Sequence, residues 1–406
     1  MTKTNLTQFS NLFKVASYYD KTLPEASLCL WVKTGSSCDP KNKEGLSHLL
    51  EHVLFGTRKT FVSSDIYSSI INRQIKIKAF TKAEHTAFII ESVDEFNLQH
   101  SIDFLWKVYS GELLSNEALV EAKFDIYQEI DDLSADPVKS LFEALNSICF
   151  PNQSYGRSIT GTKETIKKFK IDDLVNFQRQ QYSPNNSLIC ICGNIQHQQL
   201  LDSLEPKISG LKATKHSFVP TSHWVGGIKK LKTRDKEKRL AVSLPFDTKI
   251  PEDYYYYWLL SFLLSKNTNY GIPGVLKKGR IKYNTLHIYP EFLSRISRMQ
   301  IYISTHHSNI QYVMENVMDG LCSFTNLKAE SLLKDTLSSE ITSSLKLVKL
   351  TNKNIEHLAM AIAEYDLFPS DIPFPNLVDD IQEKLDVILK NFHKKNHEAV
   401  VYSTGS

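Results

Sequence analysis

The sequence predicts an α+β protein built from two related domains, and three observations carry that expectation. The chain has 406 residues, 42% hydrophobic and 23% charged, with 15 Gly and 14 Pro. That is a globular composition, and it excludes collagenous and wholly disordered chains. At roughly 150 residues per domain the length suits two or three separate cores. Strand-like and helix-like stretches are interspersed through the first half, and the same order returns in the second, as two similar α+β units would require.

Residues 26–33 are rich in apolar and aromatic side chains and read as a strand, stopped by the turn formers of 34–40. In 44–55, Leu46, Leu49, Leu50, Val53 and Leu54 recur at helical spacing while Ser47, His48, Glu51 and His52 fill the other face. Residues 75–80 alternate with period two and 86–92 are rich in strand formers, so Ala83-Glu84-His85 reads as the turn between paired strands. Amphipathic helices are expected at 96–114, 117–133 and 138–150, then a short buried strand at 188–192 ended by Gly193. The stretch 206–239 holds Gly226-Gly227 and a charged run from 229 to 239, and reads as a linker with an exposed polar face. Beyond it come a strand at 240–246, a helix at 254–264, an alternating strand at 298–305 and helices at 310–323, 328–348 and 354–365. The domains are therefore placed at 1–205 and 240–406.

Lys+Arg 48 against Asp+Glu 45 leaves a net charge of +3, too balanced to argue for nucleic acid as a partner. The six cysteines (Cys29, Cys38, Cys149, Cys190, Cys192 and Cys322) include no C-x-x-C pair. Neither a disulfide framework nor a thiol-based zinc knuckle fits them. Cys190 and Cys192, two apart in a strand, share one face. The N-terminus lacks an apolar stretch of signal-peptide type, and the longest apolar block, 254–264, is too short for a membrane span. A soluble, cytoplasmic protein is the expectation. Neither a Gly-rich phosphate loop nor a G-x-S-x-G elbow is present.

The chemistry concentrates in His48-Leu-Leu-Glu51-His52. Two imidazoles four apart on a helix stand on one face, a turn apart, so both can reach one metal ion. Glu51 lies beside them, where a carboxylate can take a proton from an attacking water. This is the H-x-x-E-H pattern, which chance would place roughly 0.02 times in a chain of this composition. Catalytic zinc uses three protein ligands, often two His and one carboxylate. The helix at 117–133 offers Glu129, 77 positions after His52.

On these residues the chain resembles the pitrilysin family of zinc peptidases, which includes the mitochondrial processing peptidase and the insulin-degrading enzyme. The 76 residues between His52 and Glu129 match the spacing typical of that family. Gly35-Ser36, Gly45-Leu-Ser-His48, Phe55-Gly-Thr57, Tyr155-Gly-Arg-Ser-Ile-Thr-Gly-Thr162, Asp172-Asp-Leu174 and Tyr182-Ser-Pro-Asn-Asn186 are similar to its motif regions. Ala79-Phe-Thr81, with Glu84 and Thr86, is similar to its substrate-facing edge strand. The likeness covers about residues 15–200 by motif and the remainder by element order.

The resemblance implies two domains, each a mostly antiparallel sheet packed by helices. It implies Zn2+ held by His48, His52 and Glu129, with Glu51 activating the water. It further implies a peptide laid as an added strand along Lys78, Ala79 and Phe80. Three departures stand out. The family's acidic residue seven before the third ligand is here Ala122, leaving Asp125 and Glu121 as candidates to support Glu129. Lys78 replaces an Asn. The Arg and Tyr that grip substrate from the second domain correspond to a stretch containing Lys277, Arg280 and Tyr283, with the spacing one short. Intact zinc residues with an altered grip resemble the catalytic half of a heterodimer with a homologous partner subunit, a homodimer being the other arrangement. The function expected is endopeptidase action on short or unfolded peptides, with maturation of a ribosomal peptide precursor as one such role. The alternative is a non-catalytic scaffold or peptide-binding subunit.

The remaining candidates read as structural. His85 is expected at the surface or at most lining substrate, and His306-His307 in a structural setting. His393 and His397 are expected on a solvated helix face, and Tyr254 to Tyr257 in a core.

Overall fold

A strand apolar on both faces is stable only inside a sheet covered on both sides. Two such strands anchor the first sheet in this computed structural model, which describes residues 3–55, 76–212, 222–233, 235–246, 254–294, 296–328, 355, 359, 379–393 and 398–405. They are β3 (Ala26–Val32) and β6 (Ser187–Gly193), both almost wholly buried. With β1 (Lys3–Gln8), β2 (Lys14–Tyr19), β4 (Lys76–Thr81) and β5 (Thr86–Val93) they form a six-stranded sheet in the order β1-β2-β6-β3-β5-β4. Every pairing is antiparallel except β2 with β6.

One face of this sheet packs against α1 (Leu46–Phe55) and α2 (Leu98–Ser110), with Leu28, Leu30, Phe88 and Ile90 meeting Leu49, Leu50, Val53 and Ile102. Helix α3 (Asn116–Ala135) contributes Ala118, Ala122 and Ile126 to the same core. The opposite face carries Cys29, Trp31, Cys190 and Cys192, covered by buried Ile355 and Ala359. Cys190 and Cys192 thus share a face, as their spacing requires.

The second sheet comprises β7 (Gly227–Thr233), β8 (Lys238–Phe246), β9 (Thr285–Glu291), β10 (Ser297–Thr305) and β11 (Ala399–Gly405), in the order β7-β11-β8-β10-β9. It is again antiparallel but for one pair, β11 with β7. In both sheets the three strands on one side of the centre run antiparallel, and the parallel pair lies on the other side. The repeat of element order is therefore a repeat of topology. Leu240, Val242, Met299, Ile301 and Ile303 pack against α8 (Tyr254–Leu264), α9 (Ile272–Lys278), α10 (Ile310–Thr325) and α11 (Asp379–His393). Tyr256 and Tyr257 are buried there, as expected of core residues.

Close contacts divide the chain into two units: 1–132, 157–220 and 351–371 form one, and 133–156, 221–350 and 372–406 the other. Helix α4 (Pro137–Cys149), which lies in the first half of the sequence, packs on β7, β8 and β11 of the second sheet. The stretch read as a linker contains β7, exposed and carrying Lys229, Lys230 and Lys232, yet held in register by β11. Lysines on an edge strand discourage further pairing, which is why its composition resembles a linker. The helices expected at 328–348 and 354–365 lie outside the described residues, save Lys328, Ile355 and Ala359. The structure adds α5 (Lys163–Lys168), α6 (Ile171–Gln181) and α7 (His197–Ile208) to the first unit.

Candidate metal centre and active site

The site begins with how α1 is started. Asp39, fully buried, accepts hydrogen bonds from the Gly45 N–H and the Ser47 N–H, both at 2.8 Å. The Ser47 hydroxyl lies 2.6 Å from the same carboxylate and 2.9 Å from the Gly35 carbonyl. Orphan N–H groups at a helix N-terminus are thereby satisfied. Gly45 has φ +91°, and a Cβ there would stand 2.6 Å from the Thr160 carbonyl oxygen. Arg157 donates to the Asp39 carbonyl at 3.0 Å, bracing the same loop. Helix α1 is thus held from its first turn, and its polar face is fixed.

On that face His48 Nε2 lies 3.5 Å from Glu129 Oε2, and His52 Nε2 lies 3.4 Å from Glu129 Oε1. The three ligand atoms are all within 4.8 Å of one another. Donors about 2.05 Å from a tetrahedral ion stand about 3.3 Å apart, and the two separations from Glu129 to the imidazoles are close to that. The His48 Nδ1 is buried without a hydrogen-bond partner among the described residues. Two imidazoles and a carboxylate are a donor set that suits zinc, and the residues present fit it.

Burial drives His48 down to about 4, with repulsion from His52 adding and Glu129 opposing. For His52, burial pulls the same way but is outweighed by Glu129, Glu51 and Asp125, so it sits above the usual imidazole value. Glu51 Oε2 is 3.9 Å from His48 Nε2. Burial pushes Glu51 up to about 7, against the pull of His52 and of a hydrogen bond from Thr81 at 3.1 Å. A carboxylate poised near neutrality in a partly dry site has the character of a general base.

The other predicted residues fall into two groups. Lys78, Ala79 and Phe80 lie on β4, the outermost strand of the first sheet, which packs beside α1. Lys78 is exposed and ion-paired with Glu91. Asp125 stands one turn before Glu129 on α3, and its charge reaches His52. Glu121 lies a further turn back. Lys277, Arg280 and Tyr283 belong to the second unit, at the end of α9 and in the exposed stretch after it, where Arg280 has φ +55°.

His85 is a correction. It is buried, stacked 4.0 Å from the Trp31 ring at 24°, and its Nε2 has no hydrogen-bond partner among the described residues. The hairpin turn closes through Lys82 N–H to His85 carbonyl at 2.8 Å and folds the ring onto the sheet. Asp39, which holds the start of α1, was not singled out by sequence reasoning, and Arg157 and Thr81 entered it only as members of motif stretches, without their bonds to the Asp39 carbonyl and to Glu51. Thr81 left a readable signal: it occupies the inward register of Ile77 and Ala79, where an apolar residue is the norm.

Residues 14–163 match the family model described as insulinase (peptidase family M16), and residues 168–270 match that described as peptidase M16 inactive domain. The chain belongs to peptidase family M16. His48, Glu51, His52 and Glu129 all lie within the first match. Among curated relatives of this M16 protein is the mitochondrial-processing peptidase subunit beta of Dictyostelium discoideum, 26% identical over 280 residues, which are 66% of this chain and 58% of that protein. Another is the uncharacterized zinc protease YmxG of Bacillus subtilis, 28% identical over 174 residues, 43% of this chain and 42% of that one. The chain spans about half the length of the curated relatives it matches. A protease from Helicobacter pylori superimposes with a TM-score of 0.80 at 16% identity, covering 99% of each chain. That likeness shows the two-domain α+β fold.

Proposed function

We propose that this chain is a zinc-dependent endopeptidase acting on short or unfolded peptides. The observation that carries the reading is the convergence of His48, His52 and Glu129 within 4.8 Å, with buried Glu51 beside them. When bound, zinc would be held by these three side chains and would supply the Lewis acidity that polarises a peptide carbonyl and makes water a ready nucleophile. Glu51 accepts the proton of the attacking water and returns it to the leaving amine. Edge strand β4 supports a peptide laid alongside it through main-chain hydrogen bonds, a mode that needs an extended substrate.

Short members of the family work as pairs of chains, and the altered grip at Lys277, Arg280 and Tyr283 supports a partnered arrangement. We place a homologous subunit or a second copy opposite the site, closing a chamber that admits extended peptides. Maturation of a ribosomally made peptide precursor is one role this reading allows, and the cytoplasm is the compartment we propose. Among the described residues no helix is long and apolar enough to cross a membrane.

The test is cleavage of an unstructured fluorogenic peptide by the zinc-loaded chain beside a Glu51→Gln control. Cleavage by the wild type alone that disappears in the control supports the reading. A zinc-loaded chain that cleaves nothing, whether by itself or with a homologous subunit from the same source, would make it a scaffold.

A further inference from the structure

Thr81 closes the β4–β5 hairpin, in register with Thr86. Its side chain turns inward with those of Ile77 and Ala79, beneath α1. Thr81 is 9% exposed and Glu51 5%, so a hydroxyl and a carboxylate face each other out of water, 3.1 Å apart from Oγ1 to Oε2. Burying both is costly unless they pair.

The neighbours settle which group donates. The Thr86 hydroxyl gives its proton to the Thr34 carbonyl at 2.8 Å. It therefore meets Thr81 with lone pairs, at 3.5 Å. The Thr81 proton is left with two acceptors, of which the carboxylate is nearer and, once ionised, far stronger. The hairpin itself is anchored: the Ser36 N–H donates to the Lys82 carbonyl at 3.0 Å, and the Ser37 N–H to the Ala83 carbonyl at 2.8 Å. Gly35 permits that approach, since a Cβ would sit 2.2 Å from the Lys82 oxygen. Loop, hairpin and α1 are thus tied at two points, and the second of them is Thr81 to Glu51.

We infer that Thr81 is a positioning residue for the general base. Its hydroxyl occupies one oxygen of Glu51, sets the plane of the carboxylate and leaves the other oxygen to receive a proton. Thr81 also ends the strand along which a peptide would lie, so it registers that strand to the base. The inference rests on the peptidase reading above.

Thr81→Val keeps the side-chain shape and removes the donor, whereas Thr81→Ser keeps the donor. Both are compared with wild type for kcat, KM, zinc stoichiometry and urea midpoint. The valine variant is expected to bind zinc fully and hold KM within about twofold, while kcat falls about ten- to a hundredfold. The serine variant should recover most of that loss. Wild-type kcat in Thr81→Val would overturn the inference. So would a loss shared by kcat and KM that serine does not repair, or a loss traced to missing zinc or an unfolded chain. A wild type that cleaves no peptide removes the peptidase reading and this inference with it, whereas a fully active Thr81→Val beside an active wild type removes this inference alone.

Discussion

Glu51 and His48 stand one helical turn apart, and burial moves them in opposite directions: the acid up to about 7, the imidazole down to about 4. Each shift favours the uncharged form, because a dry pocket penalises any isolated charge. For His48 this is the form that ligates a metal. His52 is held above the ordinary imidazole value by its carboxylate neighbours, so protons compete with the metal there first. Zinc retention, followed by metal analysis after equilibration at successive pH values, is expected to fall as pH drops through the His52 range. Dialysis against a chelator should abolish cleavage, and added zinc should restore it. His85 carries a separate pH effect. Its buried imidazole is kept well below 6.5, while the unfolded chain takes up a proton at that value. Stability from His85 is therefore complete above about pH 6.5 and is lost as pH falls below it. A His85→Phe variant, which keeps the stack on Trp31, should show a flatter urea midpoint between about pH 7 and about pH 5 than wild type.

At the scale of elements, the placement of α1 governs the site. Its apolar spacing is visible along the chain, but what starts it is not: the acceptor is Asp39, six residues before Gly45, across a turn and outside any local capping pattern. Gly45 supplies a left-handed φ and room for the Thr160 carbonyl. Gly45→Ala is expected to cost about 1–3 kcal/mol, read as a lower denaturation midpoint, with weaker zinc retention because the imidazoles ride on this helix. The strand β10 teaches the converse. Its alternation places Met299, Ile301 and Ile303 in the core, and the usual reading sends Arg298, Gln300 and Tyr302 to solvent. Those residues are buried too. Helix α4 covers that side of the sheet, and the polar groups are matched there: Arg298 and Gln300 to Glu291, and Tyr289 to Gln300 at 3.1 Å.

For the whole molecule, the interleaving of the chain between units matters most. The first unit takes residues 351–371 from far along the sequence, and gives 133–156 to the second. Buried Ile355 and Ala359 cover Cys29, Trp31 and Cys190. A chain cut after residue 205 therefore leaves that face of the first sheet bare, and exposed apolar patches drive aggregation. Expressed alone, residues 1–205 should aggregate or sediment as mixed oligomers, and lose the cooperative unfolding of the intact chain. A monomeric 1–205 fragment with a sharp transition would refute this.

How much was legible follows from how local each signal is. Helical spacing of apolar residues, strand alternation and the i, i+4 pair of His48 and His52 depend on neighbours a few positions away, so the sequence by itself determined the α+β class, most central elements and three residues of the site. Glu129 was reached only through the family's spacing, because nothing in its own helix marks it as a ligand. The edge strands β1 and β7 have polar, weakly patterned sequences, and they exist because a neighbouring strand pairs with them. Burial of His85, the cover that α4 lays on the second sheet and the bond from Thr81 to Glu51 were decided by the tertiary structure alone. Each depends on groups brought together across turns or across the chain, where desolvation and pairing act between residues that no sequence window contains.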